Sequence, residues 1–229
     1  MDKNSAFQVI QFPGMDKSAP VKRRKVRKSV DKIKYFNASQ IKLLRRAARE
    51  QAEMDIQKNR VTAIRDWMVI DLLTSTGLRV SEASNLRCGD LKIGYAESKV
   101  YVREGKGGIS GHIVINESLK KHLKHYLKWK QDQGEGIEED DFFFMGQRGP
   151  WTAQAIQLVV KKYLRDLKMY EPGKSVHALR HSYAVQLYSK ERDLRTVQKQ
   201  LRHVSIQSTL VYADVTDETI SEQIKGLWQ

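Results

Sequence analysis

The sequence predicts an α+β fold that is predominantly helical, and three observations lead there. Apolar residues recur at helical spacing in one stretch after another along the 229 residues. The period drops to two in a single region that opens at Leu91 and closes at Ile115. Hydrophobic residues make up 40% of the chain, enough for one sizeable core.

Composition narrows the partners. The formal net charge is +14 and the isoelectric point is near 9.8. A charge so far from neutral favours a polyanion, nucleic acid or an acidic membrane surface. No amphipathic helix with a large apolar face opens the chain and no apolar run is long enough to span a bilayer, so nucleic acid is the expected partner. The N-terminus lacks a signal-peptide apolar region, and the single cysteine, Cys88, has no partner for an internal disulfide. A reducing, cytoplasmic setting is expected.

Residues 1–32 read as a flexible basic arm. Pro13-Gly14 and Ala19-Pro20 break any periodicity, and Lys22, Arg23, Arg24, Lys25, Arg27 and Lys28 form a block of like charge around one valine. Such a block serves either as a solubilising tail or as an arm that neutralises DNA phosphates. A nuclear-import signal is a third use of the same block.

From residue 33 the chain reads as one domain. Ser39 is the expected cap of a first helix with Ile41, Leu44, Ala47 and Ala48 inward. Residues 60–75 form a second, with Val61, Ile64, Met68 and Leu72 buried and Gly77 at its end. Arg79 follows at a tight junction before a short helix through Glu82 and Leu86, a placement that suits binding as well as a structural pair with Glu82. Strands at 99–103 and 112–115 flank a glycine-rich hairpin tip that carries Lys106. Residues 117–133 are helical, Phe142-Phe143-Phe144 is a buried strand or anchor, and Thr152 caps a helix to about 169. Ile220, Ile224 and Leu227 put an apolar stripe on a tail helix over 216–229, which packs on its own domain or on a neighbouring subunit.

The chemistry concentrates in 175–215. His177 and Arg180 stand three apart, on neighbouring positions of one helical face. Arginine offers a rigid fork to phosphate oxygens, histidine moves protons near neutral pH, and a phenol such as Tyr212 becomes a nucleophile when helped to ionise. An HxxR pair on a helix is common, and by itself it favours an ordinary surface face. His177 and His181 also have the spacing of a zinc-binding helix, but Ala178 stands where the metalloprotease motif needs Glu. No metal is expected.

Taken together, TSTGLRVSEASNLRCGDL around Arg79, EGKGG around Lys106, HALRHSYA around His177 and Arg180, and LRHVSIQSTLVYADV around His203 and Tyr212 resemble the tyrosine recombinase, or phage integrase, family. The resemblance covers nearly all of 33–229. It implies the family's catalytic fold, with a small antiparallel three-stranded sheet, and metal-free, cofactor-free cleavage and rejoining of double-stranded DNA. Tyr212 would form a 3′-phosphotyrosyl link, Arg79 and Arg180 clamp the phosphate, and Lys106 protonate the departing 5′-oxygen. His177 would move a proton to or from Tyr212, His203 bond the phosphate, and Glu82 support the site. It further implies a homo-oligomer on DNA, a tetramer at the synapse through exchange of the C-terminal tails, in a nucleoid-associated protein of bacterial or phage type.

Two departures stand out. Arg202 occupies the position of a glycine in the family's Leu-Gly-His, which is expected either to shift the backbone or to add a phosphate contact. The basic arm also stands where members carry a helical DNA-binding domain. The alternative readings are a type IB topoisomerase-like relaxing enzyme and a non-catalytic DNA-binding protein.

Overall fold

A computed structural model describes residues 33–58, 60–103, 110–203 and 205–213. The basic arm, the Lys106 hairpin tip and the tail helix expected over 216–229 lie outside the described residues.

The first helix, α1 (Ala38–Gln57), begins two residues earlier than its expected cap. Asn37 accepts from Gln40 N while the Gln40 side chain accepts from Asn37 N, closing a capping box that leaves Ser39 inside the first turn. Its inward stripe is Ile41, Leu44, Ala48 and Ala52. Helix α2 (Thr62–Thr76) is buried nearly all round, including Met68, Val69, Ile70, Leu72 and Leu73. It is the central helix, packed against α1, α4 (Glu117–Asp132), α5 (Ala153–Asp166) and α6 (Val176–Glu191).

Gly77 ends α2 in the left-handed conformation at φ 64, as its place in the sequence predicts. A side chain there would also collide with the next layer, because an added Cβ would lie 2.6 Å from the Tyr183 ring. The chain then turns at once into α3 (Val80–Ser84), with Arg79 as its N-cap residue.

Strands β1 (Leu91–Lys92), β2 (Lys99–Val102) and β3 (Gly111–Val114) form an antiparallel sheet in the order β1-β2-β3. Register runs from Lys99 opposite Val114 to Val102 opposite Gly111. Val100 and Ile113 face the core. A two-stranded ribbon, β4 (Met145–Gly146) and β5 (Gly149–Pro150), precedes α5, and Thr152 caps α5 by accepting from Ala155 N. Phe143 and Phe144 are fully buried and pack on Tyr126, an anchor rather than a strand.

Two further helices close the described chain, α7 (Leu194–Leu201) and α8 (Gln207–Leu210). Ala184, Val185, Val197, Leu201 and Tyr212 form a second apolar cluster joining α6, α7 and the segment after α8. Ser182 ties α6 to the start of the domain by accepting from Phe36 N at 2.7 Å. Among the described residues no helix is long and apolar enough to cross a membrane.

Candidate active site

The site is built where α3, α6, α7 and α8 meet. Arg79 emerges from the α2–α3 junction, so its backbone is fixed before its side chain is considered. Its N–H donates to Glu82 Oε2 and its Nη1 to Glu82 Oε1, both at 2.8 Å. The sequence left open a binding role or a structural pair with Glu82; the pair exists, and it aims the guanidinium.

Arg180 enters from α6 and is buried. Nη1 donates to Gly77 O at 2.6 Å and Nη2 to Leu201 O at 2.7 Å, so one fork joins the end of α2 to the end of α7. Burial, and then the positive charge of Arg79, lowers its pKa to about 10, which leaves it a cation at neutral pH.

Tyr212 is 2% exposed, and its hydroxyl lies 3.0 Å from His181 Nδ1. Burial raises the phenol pKa, while Arg180 and Arg79 pull against that rise. His181 is pushed down to about 4, first by burial and then by His177 and Arg180. It is therefore neutral near pH 7 and, with its proton on Nε2, presents Nδ1 as an acceptor to the phenol.

His203 stacks on the Tyr212 ring at 6.3 Å between centroids and 17° between planes. Its Nδ1 lies 3.0 Å from Thr209 Oγ1, and its backbone is pinned at both ends by Gln198. Burial, followed by the charges of Arg180 and Arg79, lowers it to about 4 as well.

The structure thus brings Arg79, Arg180, His203 and Tyr212 together. His177 sits one turn earlier on α6, exposed, with its ring centroid 6.2 Å from that of His181. The residue that sequence reasoning missed as a proton partner is His181. Its signal was the i, i+4 spacing from His177, which marks the shared face without saying which turn meets the tyrosine.

Arg202 keeps the left-handed C-cap conformation that a glycine would adopt, at φ 52 and ψ 46, so the backbone is not displaced. Its side chain turns inward, and Nη2 donates to Glu82 Oε2 at 2.6 Å. Burial pushes the Glu82 carboxyl up, but Arg202 and Arg79 outweigh it and hold the group below its ordinary value.

The arrangement sets a phenol against a neutral imidazole, beside guanidinium groups that among the described residues share the carboxylate of Glu82. That is equipment for adding an oxygen to an anionic centre.

Comparison with known proteins agrees. Tyrosine recombinase XerC of Caldanaerobacter subterraneus is 33% identical over 162 residues, covering 70% of this chain and 44% of that protein. Tyrosine recombinase XerA of Pyrococcus horikoshii is 30% identical over 166 residues, covering 71% and 54%. The chain spans about half the length of the curated relatives it matches. The crystal structure of XerA recombinase shares the fold with a TM-score of 0.67 at 24% identity, over 85% of this chain and 65% of that one. The XerH site-specific recombinase bound to palindromic difH substrate does so with a TM-score of 0.68 at 21% identity, over 86% and 54%. The phage integrase family matches residues 34–219, and with nearly the whole described domain inside that match, this chain belongs to the phage integrase family.

Proposed function

We propose that this chain is a site-specific recombinase that cuts and rejoins double-stranded DNA through a 3′-phosphotyrosyl intermediate on Tyr212. The observation that carries the reading is the 3.0 Å approach of the Tyr212 hydroxyl to His181 beside Arg180 and Arg79.

In the cleavage step His181 Nδ1 takes the phenol proton as the Tyr212 oxygen adds to phosphorus. The bond from phosphorus to the 5′-oxygen breaks, and Lys106 supplies the proton that oxygen needs. Arg79 and Arg180 hold the non-bridging oxygens; losing one such donor costs roughly 3–4 kcal/mol of barrier. His203 packs on the phenol and serves as a further donor to phosphate. Attack by a 5′-hydroxyl from another strand reverses the sequence of bonds, so no nucleotide cofactor is consumed. The Tyr212 hydroxyl is buried in the DNA-free chain, so its segment shifts to meet a phosphate.

Lys22, Arg23, Arg24, Lys25, Arg27 and Lys28 neutralise DNA phosphates; Arg202, expected among the DNA-binding residues, is instead buried against Glu82. A homo-oligomer on DNA, a tetramer held by exchange of tails over 216–229, and a nucleoid location complete the proposal. The net charge of +14 supports the DNA partner.

The test is a supercoiled plasmid with two copies of sites taken from sequence flanking the gene. Recombinant circles support the proposal. Relaxation without recombinants would favour a topoisomerase-like enzyme, and binding without either product a non-catalytic one.

A further inference from the structure

The end of α7 connects every described element that carries a site residue. Gln200 accepts from Val114 N at 3.3 Å and donates to Val114 O, gripping the edge of β3. Leu201 O receives Arg180, and His203 reaches Thr209 of α8. Between them, Arg202 reaches α3 through Glu82.

Arg202 is costly where it stands. In the left-handed region its Cβ crowds the backbone, a strain that glycine does not have. Its stem passes over Gly111, where an added Cβ would approach Arg202 Cδ to 3.1 Å, so the sheet leaves room for it. Its side chain is 5% exposed. Among the described residues only Nη2 is paired, and Nε and Nη1 are buried without a hydrogen-bond partner. Buried donors left unmade are expensive, so a residue retained this way calls for a compensating role.

Position supplies one. Among the described residues of the cluster, Arg79 and Arg202 share the carboxylate of Glu82. Oε1 accepts from the Arg79 guanidinium, and Oε2 accepts from both the Arg79 backbone and Arg202. Arg202 thereby fixes the group that holds Arg79.

We propose that Arg202 is a positioning residue that acts through Glu82, holding the carboxylate that aims Arg79 at the phosphoryl oxygens. A donor fixed in place before the reaction stabilises the charge that develops there. The proposal rests on the phosphoryl-transfer reading above.

The test is single-turnover cleavage of nicked duplexes by the whole protein, with DNA affinity measured alongside. Arg202→Gly should lower the cleavage rate at saturating DNA by roughly ten-fold or more, the effect of one charge-assisted hydrogen bond, and DNA affinity by less. Arg202→Lys should recover part of the loss, and in a Glu82→Gln background the effect of Arg202→Gly should shrink, as expected of coupled residues. An unchanged cleavage rate in Arg202→Gly would overturn this inference alone. No cleavage by wild type would overturn the phosphoryl-transfer reading itself. Glycine suits the left-handed position, so the variant should fold; should it not, a wild-type cleavage rate in Arg202→Met, which keeps the stem without the charge, still overturns the proposal.

Discussion

Nδ1 of His181 lies 3.0 Å from the Tyr212 hydroxyl, whereas His177, the histidine that the local motif favours, is exposed one turn away. From this relationship we predict that His181 rather than His177 moves the proton. His181→Gln should lower the rate of DNA cleavage by about 10²–10⁴-fold, the usual worth of a general base. His177→Gln should lose less. Single-turnover cleavage of one substrate by both variants checks the order, and the reverse order would return the role to His177.

Arg79 and Arg180 should separate in their effects on stability. Arg79 is a fifth exposed and holds no other element except through Glu82. Arg79→Lys should therefore leave Tm nearly unchanged while lowering cleavage by about 10²–10³-fold. Arg180 bonds two carbonyls from different helices. Arg180→Ala should lower unfolding free energy by roughly 2–5 kcal/mol, because two buried charge-assisted bonds are lost together. Denaturant unfolding of the pair distinguishes them.

Gly77→Ala tests the junction that places Arg79. The new methyl would meet both an unfavourable φ of 64 and the Tyr183 ring at 2.6 Å. We expect a loss of roughly 2–4 kcal/mol from backbone strain and overpacking combined. A neutral substitution would mean that the ends of α2 and α6 are not locked against each other.

Acid should destabilise the fold in a defined window. His181 and His203 have folded pKa values near 4 against an ordinary 6.5. Between those values the unfolded chain binds more protons than the folded one, so stability falls as pH drops from about 6.5 towards 4. Glu82 adds to the loss lower down, because its folded pKa lies below the usual carboxylate value. Tm measured across this range should fall for wild type and fall less for a His181→Gln, His203→Gln double variant.

The basic arm should show in the salt dependence of DNA binding. Neutralising Lys22, Arg23, Arg24, Lys25, Arg27 and Lys28 should flatten the plot of log affinity against log salt, by ~0.9 per phosphate contact removed. An unchanged slope would make the arm a solubilising tail.

Much of the fold was legible because its signals are local. Gly77 at the helix end, the cap at Thr152, and the shift to period two all read correctly from a few adjacent residues. The first cap was misplaced by two residues because Asn37, Ser39 and Gln40 all lie within one turn, and only the side-chain exchange between Asn37 and Gln40 decides among them. The grouping of Arg79, Arg180, His203 and Tyr212 came from motifs rather than from periodicity. What the chain did not disclose is long-range: Arg202 meets Glu82 across 120 residues, and His181 meets Tyr212 across 31. Arg65 makes the same point in the core, where it meets Glu135, the partner of the wholly buried Lys130, across 70 residues.

The most direct test is covalent trapping. Nicked duplexes carrying sites from sequence flanking the gene are incubated with the protein and chelator, and detergent-resistant complexes are resolved on a gel. The account predicts a complex that forms with wild type, is absent with Tyr212→Phe, and links the tyrosine to a 3′-phosphate. A complex that persists in Tyr212→Phe, or one that forms only with added divalent metal, would contradict it.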